Sequence, residues 1–377
     1  MEIKVICSRL EEGLMVLNIP IRGFYPSTRH WIYETQLYQF FKPLYPEETL
    51  QLPQPKGLDP SINWDSLLYD KKIPEQFVVN IPYGRFMGEN RGGAVITPTN
   101  KILEDVSQEY FNYASFALKS PPHLVYERNN VAVLQSYLGI NYFHFFFDVA
   151  ARIHLLQQSG IPISKYITTS TQPYQDELLN LLGIPRMKRI ESNERLHLRA
   201  NQLFVPSYTG SFRGLIPRWA CNYLRSQLLE QRKVEPLQEY RRIYISRALA
   251  THRKIVNEIE MLCLLSFYGF KPVFLELESV ERKIQIFNSA EVVISPHGAG
   301  LTNLIFCKPG TKVLEIFNPN WMLPSFWMIS HYMNLDYYYL LGKGPRLLKR
   351  MNLESIHDNI TVNLNELQAT LQMASLS

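Results

Sequence analysis

The chain has 377 residues, of which 46% are hydrophobic and 19% are charged, a composition that is typical of folded globular proteins and excludes disordered or fibrous classes. This length fits two domains, each large enough to bury its own core. The net charge of +5 is spread along the chain, which suits a phosphate-bearing ligand. Because no basic stripe with interleaved aromatic residues is present, we expect no nucleic-acid partner.

The cysteines and the N-terminal sequence predict a cytoplasmic protein. The four cysteines are far apart and have no paired spacing, which is typical of reduced buried thiols. The first twenty residues lack the charged start and continuous apolar run of a secretory signal, and no later apolar run is long enough for a transmembrane segment. Peripheral membrane association stays open, because such a surface leaves no clear linear pattern.

The chain order of predicted elements indicates an α/β protein. Residues 1–125 are rich in proline and aromatic residues and have weak periodicity, so we expect loops and short strands there. From about residue 130, apolar runs of strand length alternate with amphipathic segments, including predicted helices over residues 142–158 and 173–182. The polar segment VEPLQEY contains a proline and loses this periodicity, which predicts a domain boundary near residue 236.

The sequence after residue 236 predicts four short strands joined by three crossover helices, which is the pattern of a Rossmann-like sheet. We therefore expect one Rossmann-like domain over residues 1–235 and another over residues 236–345. The segment over residues 346–377 has helical spacing, and we expect its helix to pack back on the N-terminal domain.

The segment SPHGAGLTNLIF, residues 295–306, follows an apolar strand and begins a helix. Gly298 and Gly300 allow the backbone to approach a ligand, and the first amides of the helix attract an anion such as a diphosphate. His297 lies at the carboxyl end of the strand, where α/β sheets present their ligand-binding groups. A glycine turn that serves only packing, with a structural histidine, explains this segment equally well.

The segment YISRALATHRKIVNE, residues 244–258, connects a strand to a helix. Arg247 follows the strand and Arg253 precedes the helix, so both guanidinium groups belong to the carboxyl edge of the sheet and can bind a diphosphate with forked geometry. The alternative is that one or both are solvated loop arginines. Asn257 is most simply an N-cap, with Glu260 completing the capping arrangement.

The segment NYFHFFFDVAARIHLL places His144 and Asp148 four residues apart, hence on one face of a helix. A carboxylate among three phenylalanines is expected to be partly desolvated, which raises its pKa and suits it to accept a proton from a hydroxyl. Asp148 is therefore the predicted general base, with His144 as the second candidate. The alternative is a helix pair that only stabilises the fold.

Several motifs are missing from the sequence. It contains no DxD, no HExxH and no paired CxxC, and no histidine has a convincing metal-ligand spacing. It also lacks GxSxG, GxxxxGK[ST] and a full GxGxxG. The sequence therefore predicts anion recognition without a metal.

Taken in order, NYFHFFFDV, YISRALATHRKIVNE and FNSAEVVISPHGAGLTNLIFCKPGTKVLEI resemble glycosyltransferase family 61, over roughly residues 130–318. The resemblance implies a GT-B fold, in which two Rossmann-like domains face each other across a cleft. It implies an inverting, metal-independent transfer from a nucleotide-sugar donor to a glycan or similar acceptor hydroxyl, with no cofactor, in polysaccharide biosynthesis. Domain 1–235 would bind the acceptor and domain 236–345 the donor.

Site residues follow from the same resemblance. His144 and Asp148 would face the acceptor. Glu315 matches an acidic position of the family on the donor side, and the alternative is that it is only a buried structural carboxylate. The residues expected on the donor side are Arg247, Arg253, Asn257, His297, Gly298, Ala299, Gly300, Asn303 and Glu315. Two rival functions stay open, namely a non-catalytic nucleotide- or glycan-binding module on a transferase fold and a GT-B-like nucleotide-sugar epimerase.

Overall fold

The structure is a computed structural model that describes residues 20–68, 71–89, 92–107, 121–210, 214–344 and 353–376. Within these residues the strands form a ten-stranded sheet, a five-stranded sheet and a two-stranded ribbon. The fold is therefore mixed α/β, as the sequence predicts. Among the helices of these residues, none is both long enough and apolar enough to cross a membrane.

The strands and helices have the following bounds. The strands of the first half are β1 (Phe24–Tyr25), β2 (Phe41–Tyr45), β3 (Glu48–Thr49), β4 (Lys72–Ile73), β5 (Gln76–Pro82), β6 (Arg85–Glu89), β7 (Gly92–Ile96), β8 (Ile102–Leu103), β9 (Val125–Val133), β10 (Lys165–Thr168), β11 (Arg189–Glu191) and β12 (His197–Pro206). Those of the second half are β13 (Arg242–Ile245), β14 (Lys271–Val273), β15 (Val292–Pro296), β16 (Lys312–Phe317) and β17 (Asp336–Leu341). The α-helices are α1 (Thr28–Thr35), α2 (Tyr142–His144), α3 (Arg152–Ser159), α4 (Pro173–Leu181), α5 (Arg218–Arg225), α6 (Glu258–Phe267), α7 (Val280–Ser289), α8 (Ser325–Tyr332) and α9 (Leu364–Met373).

The first sheet has the order β1-β8-β7-β6-β12-β9-β10-β11, and β5 and β2 extend it from β12. Strands β12, β9, β10 and β11 run parallel, whereas β5 and β6 pair with β12 in the antiparallel direction. The short strands expected in the first 125 residues are thus present among the described residues. Most of them continue the sheet that holds the parallel strands, whereas β3 and β4 form the separate two-stranded ribbon.

The second sheet is parallel throughout, in the order β14-β13-β15-β16-β17. It has five strands where the sequence predicted four. The missed strand is β17, whose sequence DYYYLL has three tyrosines and so lacks the aliphatic run that marks the other four. Because β13 lies between β14 and β15, the connections that leave β13 and β15 diverge, which makes this point the topological switch of the sheet.

The helices of the two halves share one hydrophobic core. Phe146 and Leu224 of the first half and Phe287 and Leu304 of the second half belong to the same buried cluster. A carboxylate also joins the halves, because Glu177 on α4 accepts hydrogen bonds from the first two amides of α7, at 2.8 and 3.0 Å. This contact satisfies helix amides that would otherwise lack acceptors.

The C-terminal helix packs differently from the prediction. Leu367 and Leu371, one turn apart on α9, are buried together with Ile294 and Leu314 on the second sheet. The expectation that segment 346–377 packs back on the N-terminal domain is therefore wrong. Helical spacing predicts that one face of this helix is buried, but several apolar surfaces can cover that face. Residues 346–352 and Ser377 of the segment lie outside the described part.

A segment of the first half crosses onto the second sheet. The carbonyl oxygen of Pro53 accepts a hydrogen bond from the Trp327 indole at 2.9 Å, and Lys56 pairs with Tyr338 in a parallel bridge. Gly57 lies against the ring of Tyr339, where a Cβ would be 2.3 Å from ring carbons. Lys56 and Gly57 therefore contact the second sheet directly, and the boundary between residues 235 and 236 stays a prediction.

Candidate active site

The candidate site lies at the switch point of the second sheet. Strand β13 ends at Ile245 and the adjacent strand β15 ends at Pro296. The loops that follow carry Arg247 and the Gly298–Gly300 turn, so these groups lie at one edge of the sheet. This crevice is where open α/β sheets bind their ligands.

Arg247 and Gly298 are in close contact. A Cβ on residue 298 would lie 2.1 Å from Nη1 of Arg247, so only glycine leaves room for the guanidinium. Ala299 and Gly300 then begin a 3₁₀ helix, Ala299–Phe306. Their amides precede the first intrahelical hydrogen bond and are left to bind a ligand or water. The turn therefore presents amide donors next to a cation.

Arg247 and Arg253 form a partly buried pair of cations. Nη2 of Arg247 donates to the carbonyl of His252 at 3.0 Å, while Arg253 donates through Nε to the carbonyl of His297 at 3.0 Å and through Nη1 to that of Ile356 at 2.8 Å. Neither guanidinium has a carboxylate within ion-pair distance in the described part of the chain. The sequence prediction that the two arginines lie together at the sheet edge is confirmed.

The electrostatics of this pair favour an anion. Burial, followed by the charge of Arg247, lowers the pKa of Arg253 to about 10, and burial also lowers the pKa of Arg247. Nε of Arg247 is buried and has no hydrogen-bond acceptor among the described residues. Partial burial of two cations that have no carboxylate in ion-pair contact costs free energy, and an anionic ligand would offset that cost.

His297 lies in a buried chain of polar groups. Its Nδ1 is 2.5 Å from Oε1 of Glu315, and Oε2 of Glu315 accepts a hydrogen bond from the Tyr337 hydroxyl at 2.6 Å. Burial lowers the pKa of His297, and the charge of Glu315 opposes that shift. Glu315 is 0% exposed, so it orients His297 and does not reach a ligand itself. The interpretation of Glu315 as a buried structural carboxylate therefore fits the geometry better than the interpretation that it contacts the donor.

Tyr337 was missed by sequence reasoning. It lies on β17, two residues before Tyr339, which is the partner of Glu315 in the register of β16 and β17. Residues two apart on a strand share a face, so the Tyr337 hydroxyl reaches Glu315. No local motif marks this residue, because its role depends on the pairing of the two strands.

His144 and Asp148 contact each other as the sequence predicts. Nδ1 of His144 is 3.0 Å from Oδ2 of Asp148, and Oδ1 of Asp148 accepts a hydrogen bond from the Thr209 hydroxyl at 3.2 Å. Asp148 is 4% exposed, whereas 18% of the His144 side chain is exposed. The histidine is therefore the more accessible member of the pair.

The helix that carries this pair is not a regular α-helix. A π-helix, Phe145–Ala150, separates α2 from α3 and contains Asp148. Such segments are frequent at functional sites. The buried guanidinium of Arg152 braces it by donating to carbonyl oxygens of the π-helix and of the carboxyl ends of β9 and β12. These acceptors belong to Val133, Gln135, Asp148, Pro206 and Ser207.

Aromatic rings connect the two parts of the site. The ring of Phe143 is 5.1 Å from that of His144 and 5.7 Å from that of Phe326, and Phe326 is 5.3 Å from His297. His144 and His297 therefore lie on either side of one short chain of aromatic contacts. This arrangement brings the predicted acceptor-side and donor-side residues to one region.

The two predicted asparagines have mainly structural contacts. The buried amide of Asn303 accepts from the Tyr142 hydroxyl at 2.9 Å and donates to the carbonyl of Gly300 at 2.9 Å. Asn257 makes no capping bond with its side chain; its amide exchanges two hydrogen bonds with the backbone of Val362, both at 2.9 Å. The expected donor contact of Asn257 thus has no support in this geometry, since its amide is engaged by the C-terminal segment.

No group of three or more His, Cys, Asp or Glu side chains that could hold a metal ion occurs in the part of the chain that the structure describes. Cys221, Cys263 and Cys307 are free thiols, and Cys7 lies outside the described residues.

Parts of this chain are similar to plant xylosyltransferases. Beta-1,2-xylosyltransferase RCN11 of Oryza sativa subsp. japonica is 34% identical over 94 residues, which are 25% of this chain and 16% of that protein. The beta-1,2-xylosyltransferase of Arabidopsis thaliana is 32% identical over 60 residues, 16% of this chain and 11% of that protein. Beta-1,2-xylosyltransferase XAX1 of Oryza sativa subsp. japonica is 34% identical over 121 residues, 30% of this chain and 21% of that protein.

The matched segments thus cover at most 21% of the length of these relatives. The match to a family model covers more of the chain, and its range includes His144, Arg247, Arg253 and the glycine turn. Residues 142–314 match the model of the family described as Glycosyltransferase 61, which confirms the similarity to glycosyltransferase family 61 that the sequence predicts.

Proposed function

We propose that this chain is a glycosyltransferase that moves a sugar from a nucleotide-sugar donor to a hydroxyl group of a glycan acceptor. The observation that carries this proposal is the partly buried pair of Arg247 and Arg253, which has no carboxylate within ion-pair distance among the described residues, beside the Gly298–Gly300 turn. A diphosphate supplies anionic oxygens that can contact these guanidinium groups directly, and the backbone amides of the turn supply further donors.

The proposed reaction is a single displacement with inversion. The acceptor oxygen bonds to the anomeric carbon as the bond from that carbon to the diphosphate oxygen breaks, and the acceptor proton goes to a base of the protein. Negative charge grows on the leaving diphosphate in this step. Arg247 and the first amides of the 3₁₀ helix stabilise that charge, a role that a divalent metal serves in other enzymes, and we therefore propose a metal-independent reaction.

His144 is the base that the geometry favours. A carboxylate can only accept hydrogen bonds, so neutral His144 carries its proton on Nδ1 and donates it to Asp148. This leaves Nε2 as the basic nitrogen. Asp148 was the first candidate from the sequence, but it is buried and so less accessible than His144. We therefore propose that Asp148 fixes the tautomer and orientation of His144, as the carboxylate does in other His–Asp pairs.

Several finer features belong to the proposal. A GT-B arrangement is supported by the parallel strands of both sheets and by the aromatic contacts between Phe143 and Phe326. The similarity to glycosyltransferase family 61 supports a role in polysaccharide biosynthesis. Because the relatives are named xylosyltransferases, xylose is the first donor sugar to test. The scattered free cysteines fit a cytoplasmic location.

A binding and turnover experiment tests this function. The chain is mixed with a panel of UDP- and GDP-sugars, with and without EDTA, and thermal stability and sugar transfer are measured. We expect one donor to stabilise the protein and to be turned over when an acceptor glycan is added, both unaffected by EDTA. Arg247→Ala should weaken donor binding, whereas Arg186→Ala, which removes an exposed arginine that pairs with Asp176, should not.

Each rival function has its own result. Donor binding without a product for any acceptor would support the binding module. Conversion of the donor sugar without an acceptor would support the epimerase. Loss of activity after EDTA treatment would contradict the metal-independent reaction.

A further inference from the structure

The geometry of the proposed site gives a bound donor a direction. The anomeric carbon must face His144, which the aromatic chain joins to His297. The ring of His297 also lies 5.2 Å from that of Phe317, the last residue of β16. The donor sugar therefore belongs on the β16 side of the switch point. The nucleoside then extends the other way along the sheet edge, toward β14, which lies about 10 Å from β15 at the usual strand spacing.

The chain after β14 directly adjoins the glycine turn. A Cβ on Gly300 would lie 2.8 Å from Cδ1 of Leu275, so Leu275 packs against the turn. Glu276 follows it with an exposed side chain. This carboxylate makes no hydrogen bond or ion pair with any described residue, although its charge opposes the lowering of the pKa of Arg247 that burial causes. Glu276 is thus an acceptor group next to the proposed diphosphate position.

Lys283, near the start of α7, is a second polar side chain that makes no hydrogen bond or ion pair with a described residue. It is only 7% exposed, and its Nζ lies 4.9 Å from the centroid of the Tyr142 ring. No hydrogen bond or ion pair joins this ammonium group to a residue in the described ranges. Burial lowers the pKa of Lys283, while the charges of Glu177, Glu276 and Glu278 oppose the shift. A buried ammonium with three N–H donors calls for an acceptor.

Lys283 and His144 lie on opposite sides of α2. Tyr142 and His144 are two residues apart, so their side chains point about 200° apart around the helix axis. Tyr142 faces Lys283, and His144 therefore faces away from it. This agrees with a donor whose sugar lies near His144 and whose nucleoside lies near Lys283.

We propose that Glu276 and Lys283 bind the ribose 2′ and 3′ hydroxyl groups of the donor nucleotide, with the nucleoside lying along the carboxyl edge of β14. This inference rests on the proposed function, since it names the nucleoside subsite of the same donor. The carboxylate accepts from one or both hydroxyls and the ammonium donates to a hydroxyl oxygen. A phosphate is a poorer ligand here, because three carboxylates act on Lys283, whereas a neutral diol meets no such repulsion.

Binding of ribonucleotides and 2′-deoxyribonucleotides by the full chain tests this inference. Isothermal titration is done with UDP and GDP, with dUDP and dGDP, and with inorganic pyrophosphate. For the nucleotide that binds, we expect the ribose form to bind about tenfold or more tightly than the 2′-deoxy form, the usual range for a hydrogen bond to a charged group. Pyrophosphate should bind through Arg247, Arg253 and the amides of the glycine turn, without Glu276 or Lys283.

Glu276→Gln should bring the affinity of the ribonucleotide close to that of the deoxy form and should not weaken pyrophosphate binding, because the change removes a negative charge that acts on Arg247. Lys283→Met should weaken ribonucleotide binding in the same direction. Glu281→Gln is the matched control, because Glu281 is on the same helix turn but pairs with Arg232, and it should bind all ligands like the original chain. Glu276 is exposed, so its variant should fold normally even if Lys283→Met does not.

The outcomes separate this inference from the proposed function. Nucleotide binding without a preference for ribose, or a preference that survives Glu276→Gln, would overturn the inference while the diphosphate site stands. Failure of the original chain to bind any nucleotide or pyrophosphate would overturn both.

Discussion

Nη1 of Arg247 occupies the space that a side chain on residue 298 would need. A Cβ on Gly298 would be 2.1 Å from this nitrogen, yet the backbone φ of Gly298 is 176°, an extended value that any residue adopts. Glycine is therefore required here by space and not by backbone conformation. The position of the Arg247 guanidinium therefore requires glycine at residue 298.

Gly298→Ala should displace the Arg247 guanidinium and so weaken donor binding about tenfold to a hundredfold, the cost of losing charge-assisted hydrogen bonds. Isothermal titration with the donor or with pyrophosphate measures the change. Gly269→Ala is the control: Gly269 has a φ of +73° and open space around it, so alanine should cost roughly 1 kcal/mol of stability without affecting the ligand. Unchanged affinity in Gly298→Ala would contradict the role of Arg247.

Asp148→Asn should abolish most turnover and preserve donor binding. The amide can donate as well as accept, so it no longer forces the Nδ1–H tautomer of His144, and we expect kcat to fall by about 10³ to 10⁴. His144→Ala should cause a similar loss, and the double variant should lose little more, because the two residues act as a unit. Steady-state kinetics and donor titration separate the two effects. Full turnover by Asp148→Asn would mean that this pair is structural.

His197 should make stability depend on pH. Its Nε2 is 3.0 Å from Arg85 Nη1 and its Nδ1 is 3.0 Å from the carbonyl oxygen of Pro122, so the neutral ring accepts from the arginine and donates to the carbonyl. Burial, with the charges of Arg85 and Arg199 adding to it, lowers the pKa of His197 to about 4.

The folded pKa of His197 is below the unfolded value, so the unfolded chain binds the proton first as the pH falls. The full contribution of this histidine to the free energy of unfolding is present above about pH 6.5 and is lost as the pH falls toward 4. After allowance for solvent screening, we expect this loss to be about 2 kcal/mol. Urea unfolding at pH 7 and at pH 4.5 measures the difference. His197→Gln, which can also accept and donate, should show a smaller drop; an equal drop in both proteins would contradict this assignment.

Part of the site could be predicted from local sequence because local rules determine it. An apolar strand followed by glycine and a helix fixes where Gly298 and Gly300 lie, and the strand before Arg247 fixes its edge of the sheet. Residues four apart on a helix also meet whether that helix is α or slightly wider, so the His144–Asp148 contact is found even though the π-helix is not.

The remainder depends on contacts between distant parts of the chain. Strand β5 pairs with β12 across more than a hundred residues, so nothing near β5 indicates its sheet. Tyr337 reaches Glu315 only because β17 pairs with β16, and Asn257 is held by Val362 from the C-terminal segment. Amphipathic patterns show that a face is buried but do not identify the surface that covers it, which is why the position of α9 was predicted wrongly.

Arg152→Lys tests whether the π-helix is held by its buried arginine. The guanidinium donates to five carbonyl oxygens, and no carboxylate is within ion-pair distance in the described part of the chain. Lysine has three donors on one atom and cannot reach all five oxygens, so several buried acceptors would be left unsatisfied. We expect the free energy of unfolding to fall by about 2 to 4 kcal/mol.

Turnover should fall further than stability alone explains, because Arg152 also sets the position of the Asp148 backbone through a 3.1 Å hydrogen bond to its carbonyl. Urea unfolding and kcat are measured on the same samples, well below the unfolding temperature. Arg186→Lys is the control, since that exposed arginine pairs with Asp176 at the surface and should lose less than about 0.5 kcal/mol. A destabilised Arg152→Lys protein with normal kcat would show that the arginine supports the sheet edge but does not position the proposed base.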